Sequence, residues 1–216
     1  ENWADPNVNA QEDYKFGYYD NICQTWDQLA NTYPNYAMFV AAGNDRGSPS
    51  PYPATFAVRN GSGGWVTMSS SDPNKPSVTG PYDCISGGQA NAKNTITIGA
   101  VNKITTGYSN PSQVVMSSFS GWGPTDDGRI KPDLVANGVA VFSAYSSSNT
   151  AYSSINGTSM ATPNASGSAL LVQQHYNNLR GTFMRSSTLK GLLIHTADEA
   201  GTSAGPDYTF GWGLMN

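Results

Sequence analysis

Apolar positions along this chain fall into two alternating patterns. Ala161, Ala165, Ala169, Val172 and Tyr176 recur at helical spacing, which predicts a helix to about Tyr176 with one face buried against a core. Ile22, Trp26, Leu29 and Tyr33 repeat in the same way near the start, and the Leu-rich run from Leu189 to Ala197 reads as another helix. Runs of strand character lie between them: Met38 to Ala42, Asn94 to Val101, Leu134 to Ala136, and Val139 to Phe142. Runs of strand character alternating with amphipathic helices predict an α/β fold, a sheet enclosed by helices, and no repeat of solenoid period interrupts the pattern.

One region breaks this alternation. Between residues 46 and 90, Pro49, Pro51, Pro53, Pro73, Pro76 and Pro81 combine with Gly61, Gly63, Gly64, Gly80, Gly87 and Gly88. These residues predict long loops rather than regular elements. Such an insertion either borders a binding cleft or elaborates the surface.

A length of 216 residues suits one domain with a substantial core. Eleven Lys and Arg against fifteen Asp and Glu give a net charge of −4 with no basic stripe, which argues against nucleic acid or an anionic membrane as partner. No run of about eighteen apolar residues suggests a membrane span. Low charge with abundant Gly, Ser, Asn and Tyr points to an extracellular or periplasmic setting. There, Cys23 and Cys84 are expected to form a disulfide, a helix-to-loop staple; the other reading is two unpaired thiols buried as small hydrophobes. Asp126-Asp127-Gly128 could hold a calcium ion or form a solvated turn, and no metal is assigned.

The segment Asn156-Gly157-Thr158-Ser159-Met160-Ala161-Thr162-Pro163 sets a serine between small residues ahead of the predicted helix. Gly157 permits close backbone approach, Thr158 and Ser159 can cap, and Pro163 is tolerated in a first turn. Ser159 is therefore either a nucleophile at the positive end of a helix or an ordinary capping serine. Gly43-Asn44-Asp45 likewise reads as a turn closing a buried strand.

Gly-Thr-Ser-Met-Ala-Thr-Pro, followed by Asn164 to Ala169, resembles the nucleophile motif of the subtilisin-like serine peptidases, the subtilases. Met38 to Asp45 resembles the family's oxyanion-hole strand, and Lys131 to Gly138 and the ending Gly211-Trp212-Gly213-Leu214-Met215-Asn216 fall in the family's order. The resemblance covers most of residues 37 to 216 and weakens between about 46 and 90. Asn164 stands where many members carry histidine, outside the catalytic triad. The resemblance implies a mostly parallel sheet with helices on both faces, and a serine endopeptidase that forms an acyl-enzyme on Ser159. It gives Asn44 and the Ser159 backbone N–H the role of oxyanion donors. Substrate backbone is expected to pair along Ala41-Ala42-Gly43, with Asn156-Gly157-Thr158 on the pocket's other wall. Protein or peptide is then the substrate, and no cofactor is required.

A serine nucleophile needs a base and a carboxylate that orients it, and the family's Asp motif and His-Gly-Thr-His-like motif are both absent. His175 lies on the same predicted helix as Ser159, about 24 Å away at 1.5 Å per residue. His195, in a Leu-rich helical run, reads as a packed or hydrogen-bonded histidine. The expectation is that residues 1–216 are the C-terminal part of one subtilase catalytic domain, with a loop-rich insertion around 46–90. Its acid, its base and one pocket wall would then lie in an N-terminal portion preceding Glu1, and the fragment alone is expected to be inactive. The rival is a non-catalytic subtilase-like binding or structural domain. A lipase-like hydrolase fits poorly, since no Gly-x-Ser-x-Gly elbow surrounds Ser159.

Overall fold

The β-branched run after Asn94 folds as a strand buried over its whole length, as a strand covered on both faces must be. In the computed structural model, which describes residues 15–46, 55–59, 64–69, 71–72 and 84–216, this strand, Ile96–Val101, is the centre of a parallel three-stranded sheet. With β1 as Phe39–Ala41, β4 as Ile96–Val101 and β5 as Leu134–Asn137, the order is β1-β4-β5. Phe39 pairs with Ile96 and Ile98 with Leu134.

The register sorts side chains to two faces. Ile96, Ile98, Ala100, Leu134 and Ala136 pack with Ala161, Ala165 and Ala169 of α2 (Thr158–Arg180), while Leu189 and Leu193 of α3 (Ser186–His195) close the same cluster. Small residues on α2 let it lie close on the sheet. On the other face, Val40, Ala42, Ile85 and Ala90 pack with Trp26 of α1 (Asn21–Thr32). Helices therefore cover both faces, as expected.

Several local expectations are corrected. The apolar stripe of α1 is not its buried face: Ile22, Leu29 and Tyr33 are exposed, while Cys23 and Ala30 are buried. Small residues allow close contact there, and Asp27 anchors the helix by accepting N–H bonds from Lys93 at 3.1 Å and Asn94 at 2.7 Å. Pro163 lies inside α2 rather than in its first turn, so the Ser159 carbonyl lacks the usual donor four residues on. His195 ends α3 exposed to solvent rather than packed.

The 46–90 region contains a regular element as well as loops. β2 (Thr55–Arg59) and β3 (Trp65–Ser69) form an antiparallel hairpin, Thr55 opposite Ser69 and Arg59 opposite Trp65. Its signal was two five-residue segments rich in Thr, Val and aromatic residues, separated by Gly-rich sequence; the flanking prolines obscured it. A second ribbon, β6 (Val141–Ala144) and β7 (Tyr152–Ile155), leads into Asn156.

The expected disulfide is absent: Cys23 and Cys84 are not bonded to each other, and both are buried. Each thiol has its own surroundings. Cys23 Sγ donates to the Gly88 carbonyl at 3.0 Å, whereas Cys84 packs with Phe16 and Trp122 and accepts from Trp122 N–H at 3.4 Å. Burial pushes the Cys23 thiol up, which keeps it protonated.

Candidate active site

Glycine precedes α2 as its N-cap and offers no side chain to the helix's first N–H groups. Neither Thr158 nor Ser159 caps locally. The cap comes from 114 residues away: Asn44 Oδ1 accepts from the Thr158 backbone N–H at 2.8 Å and from the Thr158 hydroxyl at 2.8 Å. Thr158 Oγ1 in turn accepts from Gly43 N–H at 3.3 Å. Thr158 is completely buried, which keeps this clamp out of water.

With its oxygen held by Thr158, the Asn44 amide turns its Nδ2 end toward the start of the helix. A Cβ built on Gly157 would lie 3.7 Å from Asn44 Nδ2 and 3.7 Å from Ser159 N. Two N–H donors thus border one small space that only glycine leaves open. Ser159 itself is exposed, at the end of a long helix where the dipole favours negative charge. Among the described residues no side chain is hydrogen-bonded to its hydroxyl, and His175 and His195 are both exposed and line no part of the adjoining cavity.

That cavity, about 600 Å³, opens at Thr158 and Ser159 and runs between the end of β1, residues 15–22, which the sequence did not point to, and residues 86–89 of the loop-rich region, which here borders the cavity. Lys15 and Phe16 line it. Tertiary contacts bring these segments in: Gly17 N–H donates to the Ile85 carbonyl at 3.1 Å, and Ser86 N–H to the Ala42 carbonyl at 2.9 Å.

The expected substrate-pairing strand is corrected by the same contacts. Ala42 is buried and its N–H donates to the Ile98 carbonyl, while the Gly43 carbonyl accepts from Gly121 N–H at 2.9 Å. The backbone groups of both residues are thus committed inside the protein, and Ala41 and Gly43 line the cavity by their surfaces. Gly43 is required there: its φ is +106° and a Cβ would fall 1.9 Å from Ser86 Oγ. Of the opposite wall only Thr158 borders the cavity; Asn156 Oδ1 instead accepts from Ala140 N–H at 2.7 Å, and Gly157 N–H donates to the Gly138 carbonyl at 2.9 Å.

Asp127 is occupied by Thr125 Oγ1 at 2.6 Å and Arg129 Nε at 2.9 Å. Among the described residues no group of three or more His, Cys, Asp or Glu could hold a metal, and no helix is long and apolar enough to cross a membrane.

The sequence model of the subtilase family matches residues 16–213. Over 86 residues the chain is 41% identical to a C5a peptidase of Streptococcus pyogenes serotype M3, covering 40% of this chain and 7% of that protein. It is 37% identical over 84 residues to subtilisin DY of Bacillus licheniformis, covering 39% of this chain and 27% of the other. The chain therefore spans well under a third of the curated relatives it matches. Among solved structures it resembles the Clostridium perfringens CspB protease, with TM-score 0.53 and 28% identity over 65% of this chain and 28% of that one. It shares the fold of the patellamide maturation protease PatA, with TM-score 0.59 and 20% identity over 93% of this chain and 55% of that one.

Proposed function

The chain belongs to the subtilase family, and from that premise we propose that it is the nucleophile-bearing, C-terminal part of a secreted serine endopeptidase acting on proteins or peptides. What carries the reading is the convergence of Asn44 Nδ2 and Ser159 N on one space beside an exposed serine hydroxyl. Such donors stabilise charge that develops only as the carbonyl is attacked, and they act best when already oriented. The Thr158 clamp supplies that orientation.

In this mechanism Ser159 Oγ forms a bond to the scissile carbonyl carbon, and its proton passes to a histidine supplied by the N-terminal part of the parent domain and oriented there by an aspartate. The oxyanion is held by Asn44 Nδ2–H and Ser159 N–H. Collapse expels the amine, which takes the proton from the histidine, and water then releases the acyl group from Ser159. No cofactor enters these steps. The low charge and the Gly, Ser and Asn content support secretion.

The test uses a fluorophosphonate, which phosphonylates activated serines. The parent protein should be labelled and should hydrolyse peptides, and Ser159→Ala should abolish both; residues 1–216 alone should do neither. A parent that is unlabelled and inactive would leave the fold as a binding module.

A further inference from the structure

Thr158 fixes the amide of Asn44, but the backbone that carries this amide is placed by other contacts. Asn44 is exposed and stands past the end of β1, after a glycine of φ +106° at which the chain leaves the strand direction. Before that bend, Ala42 N–H still donates to the Ile98 carbonyl of β4 at 3.0 Å. Two residues after Asn44 comes Arg46, which is half-buried and lines no part of the cavity.

Arg46 brings the chain back onto the protein. Its backbone N–H donates to the Phe119 carbonyl at 3.3 Å, its Nε to the Ser120 carbonyl at 2.7 Å, and its Nη2 to the Ser117 carbonyl. The guanidinium also stacks 3.8 Å from the centroid of the Trp122 ring. Charged donors hold carbonyls more strongly than neutral ones, and a planar guanidinium spans two acceptors where an ammonium acts as a point charge. The acceptors are themselves fixed to β4: Ser117 N–H donates to the Ala100 carbonyl at 3.0 Å, and the buried Ser120 Oγ accepts from Ala100 N–H at 2.9 Å. From the same loop, Gly121 N–H holds the Gly43 carbonyl at 2.9 Å. Residues 117–121 therefore grip the Gly43-Asn44-Asp45 turn on both sides of Asn44.

We propose that Arg46 is a positioning residue for Asn44: its guanidinium locks the turn to residues 117–122 and so sets where Asn44 Nδ2 stands relative to the Ser159 backbone N–H. The inference rests on the peptidase reading above. Arg46 acts through the turn, so its loss misplaces a donor used in the transition state while leaving ground-state binding of the substrate intact.

The parent protein is assayed on one peptide substrate as wild type, Arg46→Met, Asn44→Ala and the double variant. Methionine keeps an unbranched apolar stem against Trp122 and removes the donors. Arg46→Met lowers kcat about tenfold with KM little changed, and lowers it no further once Asn44 is alanine, because the turn then carries no donor to misplace. Arg46→Lys, which keeps the charge but not the fork that spans two carbonyls, falls between methionine and wild type, and it carries the same cycle if Arg46→Met does not fold. An unchanged kcat in Arg46→Met, or an equal loss with and without Asn44, overturns the positioning role and leaves the peptidase reading standing; a merely structural Arg46 gives the second result. A wild-type parent that hydrolyses no peptide overturns both.

Discussion

Thr158 holds the side-chain oxygen of Asn44 from two directions, with its backbone N–H and its hydroxyl each at 2.8 Å. This contact joins the end of β1 to the start of α2 and decides which end of the amide faces Ser159. Replacing Thr158 with valine keeps the shape but leaves Gly43 N–H without its acceptor and Asn44 Oδ1 with one donor fewer. The expected cost is about 1–3 kcal/mol in stability, with a lower kcat in the parent enzyme because the amide is less firmly oriented. Thr158→Ser, which retains the hydroxyl, should stay near wild type in both. Denaturant titration and steady-state kinetics on the two variants check this; a valine variant with unchanged kcat would remove the orienting role.

Asn44 caps the helix and, in the proposed mechanism, donates to the oxyanion, and two substitutions separate these uses. Asn44→Asp keeps the acceptor for Thr158 while replacing the Nδ2 donor with negative charge, so the fold should hold as kcat falls. Asn44→Ala should lose stability as well, with kcat lower by on the order of 10²–10³ and KM little changed, the magnitude found for loss of such a donor in subtilisin, a member of this same family. Melting curves beside kinetic constants distinguish the two variants. Equal melting temperatures for both would deny Asn44 its capping part.

Gly157 tests the geometry of the donors directly. A methyl group at this position would lie 3.7 Å from both Asn44 Nδ2 and Ser159 N and 3.3 Å from Met160 Sδ, filling the space proposed for the oxyanion. Gly157→Ala should therefore reduce kcat/KM about a hundredfold or more. Fluorophosphonate labelling should slow in parallel, since that reaction also develops charge on an oxygen in this space.

The setting of Ser159 was legible because it is local. Small residues before an apolar repeat announce a helix with an accessible start, and Ala161, Ala165 and Ala169 do face the sheet. What the sequence withheld is long-range. Thr158 reads locally as a capping residue, yet its cap partner lies in a turn 114 residues earlier. Residues 15–22 carry no motif and become a cavity wall only through backbone contacts. The prolines of residues 46–90 hid a hairpin whose strands have ordinary β-rich composition. The cysteine pairing failed for a related reason, since two buried small side chains satisfy burial without a bond. Thiol titration of the denatured chain should count two free thiols, and a count of none would restore the disulfide.

The apolar pattern also gave no hint of the charge cluster beneath the sheet. Lys131 is buried, its ammonium donating to Asp133 Oδ2 at 2.7 Å, Thr97 Oγ1 at 2.9 Å and the Thr95 carbonyl at 3.3 Å. Lys190 of α3 reaches Asp133 Oδ1 at 2.7 Å. Burial alone would push Asp133 up, but the two ammonium groups hold its carboxyl below the usual range. Its contribution to stability is therefore present above the ordinary value near 3.9 and lost as pH falls through the lower folded value. Burial pulls Lys131 the other way, down to about 8 despite the attraction of Asp133. Between about pH 8 and the ordinary lysine value near 10.4, the unfolded chain binds a proton that the native chain does not, so this group makes stability rise with pH. Asp133→Asn strands two cations, one of them fully buried, and should cost on the order of 3–5 kcal/mol, whereas Lys131→Met leaves the exposed end of the cluster paired and should cost far less. Denaturant titrations at pH 7 and pH 9.5 should show wild type gaining stability relative to Lys131→Met at the higher pH. A constant difference between them would mean that Lys131 stays protonated throughout and that its partners outweigh its burial.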